Sequence, residues 1–225
     1  MAELIATTNG CRRFGHPEFR FSYDPAAVIA LTVASFIRQL EDGVSSGEVF
    51  RPGETFQIGW MITRITEHSD GFLGFLEPDM KTYPVREDPG LTTALCQLRL
   101  HKDVCESLFD PPQLSFAPLW HSAIVCTRLG TTPTFIMDRA ASEGNVSGWF
   151  FGCDAESHDH QDVSHLRCVS IYEAVVTLER RILPFLLLPE QTLVAAGDGP
   201  PRVWHEDTPR PFLPGSYLSA FYSTH

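Results

Sequence analysis

The sequence of 225 residues has very little lysine and lacks the short motifs of nucleotide-binding enzymes. Only Lys81 and Lys102 are lysines, and 17 basic residues stand against 28 acidic ones, which gives a net charge of −11. An acidic surface repels the phosphates of DNA and RNA, so we expect no nucleic-acid partner. Neither Gly-x-Gly-x-x-Gly nor Gly-Lys-Ser/Thr occurs, which argues against a Rossmann enzyme or an NTPase.

Signals for export and for membrane insertion are also missing. The first ten residues have no basic segment and no continuous apolar segment. The longest apolar stretch, residues 26–37, is too short to span a membrane and is interrupted at Thr32 and Ser35. Six cysteines form no Cys-x-x-Cys pair, which favours free thiols in a reducing compartment. We therefore expect a cytoplasmic protein without a membrane partner, of undetermined oligomeric state.

The composition is that of a folded chain, with 43% hydrophobic and 20% charged residues. Helical periodicity predicts helices over residues 24–43, 91–108 and 170–183. Runs rich in β-branched and aromatic residues predict strands at 56–67, 72–76, 122–127, 134–137, 148–153 and 202–205. The fold class expected from this order is α+β, with antiparallel sheets and flanking helices.

The order of hairpin, helix and proline-rich exit occurs twice, which suggests two weakly related lobes. They are predicted as an N-terminal α+β lobe at 1–115 and a C-terminal lobe at 116–225 with a Pro/Gly-rich tail. Residues 182–195 align without gaps on 104–117. An ancient duplication and a chance similarity between two helix exits both explain this match.

The densest polar segment lies at residues 153–168 and is rich in Cys, His, Asp and Glu. Thiolate and imidazole groups bind zinc, and Cys153, His158 or His160, His165 and Cys168 offer four such groups. However, their spacing matches no compact zinc motif, and His158 and His160 are predicted to point apart. The sequence favours a solvated acidic loop over a metal site or an acid/base pair, so we expect no metal and no cofactor.

The tryptophans and the candidate nucleophiles give fewer indications of function than the polar segment does. No Gly-x-Ser-x-Gly motif is present, and no spacing favours a Cys–His catalytic pair. Trp60 and Trp149 are predicted to lie in the core because they occur in aromatic strands. Trp204 lies in a loop-like tail and is predicted to be the most exposed tryptophan. The aromatic residues near the C-terminus either pack on the protein or anchor a partner.

Three segments follow one another in the second half of the chain. They are Ser-Gly-Trp-Phe-Phe-Gly-Cys-Asp-Ala-Glu-Ser-His-Asp-His at 147–160, Ser-Ile-Tyr-Glu-Ala at 170–174 and Leu-Pro-Phe-Leu-Leu-Leu-Pro-Glu-Gln-Thr at 183–192. This series resembles the C-terminal module of a family of bacterial immunity proteins from polymorphic-toxin and type VI secretion loci. The resemblance covers about residues 144–194. It implies a non-enzymatic antitoxin that binds a cognate protein toxin, and it transfers no catalytic residues.

The expected function is therefore neutralisation of a toxin by direct binding and occlusion of its active site. Acidic groups of one loop would be steered to a basic cleft and, if the toxin is a nuclease, would mimic phosphates. The predicted toxin-binding residues are Asp154, Glu156, His158, Asp159, His160, Asp162 and Trp204. Two alternatives stay open. One is a small metal-dependent hydrolase that uses Cys153, His158, His160 and His165, and the other is a non-enzymatic scaffold or adaptor.

Overall fold

A computed structural model describes residues 3–155 and 157–223. The fold is mixed α+β, as predicted, and the chain divides into two compact units. The first unit ends at Arg99 and the second begins at Leu100. The predicted lobe boundary at 115/116 lies inside the second unit, and the duplication stays a prediction.

The first unit contains two antiparallel sheets and one long helix. Its elements are β1 (Leu4–Thr7), a 3₁₀ turn (Arg12–Phe14), β2 (Arg20–Tyr23), α1 (Ala30–Ser45), β3 (Thr55–Ile58), β4 (Met61–Glu67), β5 (Leu73–Pro78) and β6 (Glu87–Pro89). Strands β1 and β2 pair with each other, and β3 to β6 form a four-stranded sheet in sequence order. The core of the unit is aromatic, with Phe75 in ring contact with Phe19, Phe21 and Phe36.

Two predicted elements of the first unit need correction. The predicted strand 56–67 is a hairpin, because Gly59 adopts a φ of 61° and lets the chain reverse between Ile58 and Met61. The predicted helix start at Asp24 is a turn, in which the Asp24 carbonyl accepts the amide of Val28 at 3.0 Å. Helix α1 begins only at Ala30. The predicted hairpin between β4 and β5 is confirmed.

The second unit is built on a seven-stranded sheet in the order β10-β7-β9-β8-β11-β12-β13. The strands are β7 (Ser122–Cys126), β8 (Phe135–Arg139), β9 (Val146–Cys153), β10 (Leu166–Ser170), β11 (Thr192–Ala196), β12 (Arg202–His205) and β13 (Thr208–Pro209). Strands β7 and β9 pair in parallel and all other pairs are antiparallel. Strands β7, β8, β9 and β12 confirm the prediction, whereas β10, β11 and β13 were not predicted.

The helices that follow the first sheet are α2 (Thr92–Glu106), α3 (Ile171–Glu173) and α4 (Tyr217–Ser223). Helix α2 agrees with the predicted segment 91–108, and α4 was not predicted. The predicted helix 170–183 is regular only at its start. It continues as a π-helical turn (Ala174–Leu178) and a 3₁₀ segment (Arg180–Phe185) that contains Pro184, whose ring has no amide hydrogen to donate.

Both tryptophans assigned to the core are buried. Trp149 is 1% exposed, and its indole N–H donates to the carbonyl of Leu186 at 3.2 Å. Trp60 is fully buried and donates to Gln97 Oε1 at 2.6 Å. Among residues 3–155 and 157–223, no helix is both long enough and apolar enough to cross a membrane.

Candidate binding face and Cys/His cluster

The seven-stranded sheet has one buried face and one open face. Residues in direct register across strands place their side chains on the same face. One such row consists of Val125, Phe151, Met137, Val194 and Val203, all of which are buried. The neighbouring row consists of Cys168, Ile124, Phe150, Asp138, Leu193 and Trp204. This second row, here called the open face, is in contact with solvent.

The open face combines apolar and acidic side chains. Ile124 is 39% exposed, and Phe150, Leu193 and Trp204 are half-buried. Asp138 is exposed between them. Apolar side chains that stay partly exposed along one row form the kind of surface on which partners dock.

An acidic cleft of about 790 Å³ lies at one end of the open face. Its lining residues are Asp138, Gln191, Leu193, Trp204, Glu206 and Asp207. Glu206 and Asp207 form the two-residue turn between β12 and β13, where their φ values are 50° and 60°. Such a turn usually contains Asn-Gly, because side chains are strained at positive φ. The turn therefore places Glu206 and Asp207 in the same cleft as Trp204.

Trp204 is less exposed than the sequence predicted. It is half-buried, and the guanidinium carbon of Arg202 lies 5.7 Å from its ring centroid. Trp120 is 47% exposed, so the prediction that Trp204 is the most exposed tryptophan is wrong. Trp204 lies in the predicted strand β12 and pairs with Leu193 on β11, so it belongs to the sheet and not to a loop.

The acidic loop, residues 154–162, follows β9 and lies near the other end of the open face. His160 packs edge-on against Phe150 with ring centroids 5.3 Å apart. Gly152 permits this contact, since a Cβ there would lie 3.2 Å from the His160 ring and 2.7 Å from the Phe150 ring. The structure therefore brings one part of the predicted toxin-binding set, the acidic loop, next to the open face.

Asp154, Asp159 and Asp162 of the acidic loop are exposed, and two of these carboxylates also stabilise turns. Asp159 accepts the amide of Gln161 at 2.8 Å, and Asp162 accepts the amide of Ser164 at 2.9 Å. The hydroxyl and amide of Ser164 lower the pKa of Asp162. Among the described residues, Asp154, Asp159 and Asp162 form no ion pair with lysine or arginine. Glu156, also predicted as a toxin contact, lies outside the described residues.

A Cys/His cluster lies beneath the acidic loop. It consists of Cys126, Cys153, His158 and His160, whose potential ligand atoms all lie within 4.8 Å of one another. Cys126 and Cys153 end β7 and β9, which are neighbours in parallel, so both cysteines lie at the same edge of the sheet. A turn closed by the amide of His158 and the carbonyl of Ala155, at 2.9 Å, brings the histidines back over them.

The two cysteines contact each other and one of the histidines. Cys153 Sγ lies 3.7 Å from His160 Nε2, and the amide of Cys153 donates to Cys126 Sγ at 3.2 Å. Burial raises the pKa of the Cys126 thiol. Two thiols beside two imidazoles are a donor set typical of zinc.

His158 is 9% exposed, and its Nε2 has no hydrogen-bond partner among the described residues. Burial, and then the neighbouring His165 and His160, lower the pKa of His158, so its ring is neutral at physiological pH. The ring of His165 stacks on that of His158 with centroids 4.6 Å apart, but its Nδ1 lies 2.9 Å from the Asp159 carbonyl oxygen. His165 is therefore held outside the cluster.

The zinc set considered from the sequence is partly wrong. Cys168 is exposed on β10 and, like His165, does not belong to the cluster. Cys126 takes part instead and was missed, because only the pairing of β7 with β9 places it beside Cys153. The prediction that His158 and His160 point apart is wrong as well, since their ring centroids are 5.1 Å apart.

No family model, curated protein or solved structure matches this chain.

Proposed function

We propose that this chain is an immunity protein, a non-enzymatic antitoxin that neutralises a cognate bacterial toxin by direct binding. The observation that supports this proposal best is the open face. Its half-exposed apolar side chains have carboxylates at both ends, in the acidic cleft and in the acidic loop. Protein interfaces combine an apolar centre with a polar rim in the same way.

The charge of the chain indicates the chemistry of the partner. The net charge is −11, and Asp154, Asp159 and Asp162 form no ion pair with lysine or arginine among the described residues. Both features favour a toxin with a basic surface, such as the cleft of an enzyme that acts on a polyanion. Opposite charges speed the encounter, which suits a protein that must capture a toxin before the toxin acts. In this proposal, the encounter takes place in the cytoplasm.

The hydrolase alternative has less support. A catalytic zinc site has three protein ligands and one position for water, whereas the Cys/His cluster offers four protein ligands. His165, which the alternative requires, is engaged with the Asp159 carbonyl. A scaffold without a toxin partner is the second alternative, and the following experiment distinguishes it.

The proposal is tested by co-expressing the chain with the candidate toxin encoded by the neighbouring reading frame. Trp204→Ala removes an aromatic side chain from the open face and should weaken toxin binding about 30-fold, as loss of a central interface residue does. Leu193→Arg should abolish protection of growth. Leu31→Arg is the matched control, because Leu31 is an exposed leucine of the first unit.

Calorimetry would measure affinity, circular dichroism would confirm folding, and growth would report protection. Full protection by the folded Leu193→Arg variant would contradict the proposed face. Absence of binding between the wild-type chain and the neighbouring gene product would favour the scaffold.

A further inference from the structure

We infer that Cys126, Cys153, His158 and His160 bind one zinc ion, which fastens the acidic loop to the edge of the seven-stranded sheet. The inference is independent of the toxin proposal. It uses residues from two neighbouring strands and the loop above them. All four ligands come from the protein, which is the arrangement of structural zinc sites.

The distances agree with tetrahedral coordination. With Zn–S bonds of about 2.3 Å and Zn–N bonds of about 2.0–2.1 Å, ligand atoms lie about 3.3–3.8 Å apart. The observed separation of 3.7 Å between Cys153 Sγ and His160 Nε2 lies within this range. The remaining ligand atoms lie within 4.8 Å of one another, so small side-chain rotations complete the site.

The second observation is the buried nitrogen of His158. Its Nε2 has no partner among the described residues although the side chain is 91% buried, since 9% is exposed. A buried polar atom without a partner destabilises a fold, because it has lost its hydrogen bonds to water and gained none in return. A zinc ion bound to this nitrogen removes that cost, which no protein group of the cluster does.

The chemistry of the donors selects the metal. Calcium and magnesium prefer oxygen ligands, whereas thiolate and imidazole favour zinc. Binding releases the two thiol protons to solvent, so a dication and two thiolates leave the cluster neutral. The amide of Cys153, which donates to Cys126 Sγ, then stabilises a thiolate.

A disulfide between Cys126 and Cys153 is the competing use of the two thiols. It would need an oxidant, and it would leave both histidine rings without a role. All six cysteines of the chain are free in the structure. The histidines above the cysteine pair therefore favour the metal.

The test begins with the full-length wild-type protein, produced in zinc-supplemented medium and purified with a reductant. Elemental analysis should find about one zinc per chain. Cobalt(II) in its place should give the visible spectrum of a tetrahedral site with thiolate ligands. Titration of the metal-free protein with zinc in buffers of different ionisation enthalpy should release about two protons per ion at a pH where the thiols are protonated.

Matched variants then identify the ligands. Cys126→Ser and His158→Asn should each lose the stoichiometric zinc and the cobalt spectrum. Cys168→Ser and His165→Asn should retain both, because these residues lie outside the cluster. Zinc at about 100 times its Kd should shift the folding equilibrium of wild type about 100-fold and leave that of Cys126→Ser unchanged.

Wild-type protein without stoichiometric zinc and without a tetrahedral cobalt spectrum would overturn the inference, even if the ligand variants fail to fold. A Cys126–Cys153 disulfide that persists in the presence of the reductant would also overturn it. So would a Cys168→Ser variant that loses the metal while Cys126→Ser keeps it. Growth protection is measured separately, so a failed toxin assay leaves the metal result unaffected.

Discussion

Arg139 and Trp149 form a buried polar contact in the second unit. Burial lowers the pKa of Arg139 to about 10, so the side chain stays charged at neutral pH. Its guanidinium donates to the carbonyls of Ser115 and Leu188 and lies 5.3 Å from the ring of Trp149. The two carbonyls and the indole therefore stabilise a charge in the core.

Replacing Trp149 by alanine should lower the free energy of unfolding by about 3–5 kcal/mol. The change removes a large buried side chain and its hydrogen bond to the carbonyl of Leu186. It also removes the ring that the guanidinium of Arg139 contacts. Urea denaturation measures the loss. Trp120→Ala is the control and should cost no more than about 1 kcal/mol, because Trp120 is half exposed. Equal stability of Trp149→Ala and wild type would show that Trp149 is not a core residue.

Glu77 gives the first unit a pH-dependent stability. Burial raises its pKa to about 7 from 4.5, although its carboxylate accepts the amides of Thr93 and Ala94. Between pH 4.5 and 7 the folded state holds a proton that the unfolded state has lost, so stability rises as the pH falls. The full difference is on the order of 3 kcal/mol.

The Glu77→Gln variant should show a flatter dependence of stability on pH. Urea midpoints are measured every half unit between about pH 4 and 8. The midpoint of wild type should rise relative to that of the variant as the pH falls from 7 to 4.5, because only wild type takes up the proton in the folded state. Parallel curves for the two proteins would show that Glu77 titrates normally in the fold.

The residues that the sequence identified are those whose role depends on local pattern. Trp149 was predicted in the core because an aromatic residue between strand-forming neighbours is usually buried. Cys126 was not identified as a partner of Cys153, because the two are 27 positions apart and meet only through the pairing of β7 with β9. Non-local contacts of this kind leave no periodic signal in the chain.

The turn between β12 and β13 combines backbone strain with charge. Glu206 and Asp207 occupy positive φ, where non-glycine residues cost about 1–3 kcal/mol each. Both side chains line the acidic cleft. Strained backbone positions often occur at binding sites. A role of the two carboxylates in binding a partner would therefore explain why the turn is strained.

Replacing the pair by Asn-Gly, as Glu206→Asn with Asp207→Gly, should raise the free energy of unfolding by about 1 kcal/mol or more. The same change should weaken binding of a basic toxin, because two carboxylates leave the cleft. Glu206→Gln is the control, since it removes one charge and keeps the strained backbone. Unchanged stability of the double variant would show that the turn is unstrained.

Elements with a clear apolar pattern were predicted, and short or irregular ones were not. Strand β10 has the sequence Leu-Arg-Cys-Val-Ser and lies at the sheet edge, so only one of its five residues is buried. It therefore shows no alternation. The segment 171–185 has helical periodicity, but its π turn and its 3₁₀ stretch depend on packing and on Pro184.

At the scale of the whole molecule, charge governs how a partner approaches. The net charge is −11, and salt at 0.1 M screens its attraction for a basic partner beyond a Debye length of about 10 Å. Part of this charge lies at the open face, in the exposed Asp154, Asp159 and Asp162 of the acidic loop and in the carboxylates of the cleft. If the chain binds a toxin as proposed, both the total charge and its placement should affect the rate of association.

Neutralising the acidic loop by Asp154→Asn, Asp159→Asn and Asp162→Asn should slow association about tenfold at low salt and reduce its salt dependence. Asparagine keeps the turns that Asp159 and Asp162 stabilise. If the loop enters a basic cleft, dissociation should also become faster. Each buried ion pair that is broken should then lower the free energy of binding by about 2–5 kcal/mol. Stopped-flow and dissociation measurements at several salt concentrations give both rates.

The matched control is Asp42→Asn with Glu48→Gln and Glu67→Gln, which changes the net charge equally within the first unit. It should affect association much less. Equal effects of the two triple variants would show that only total charge matters, and an unchanged dissociation rate would limit the acidic loop to steering.

The parallel pairing of β7 with β9 also has a consequence for how the protein folds. Strand β8 lies between them in sequence but outside them in the sheet, so β7 reaches β9 only by a long-range encounter that forms slowly. The Cys/His cluster is complete only after that encounter. During refolding in the presence of cobalt, the visible absorption of the tetrahedral site should therefore appear after most of the secondary structure has formed. The delay would measure when β7 pairs with β9.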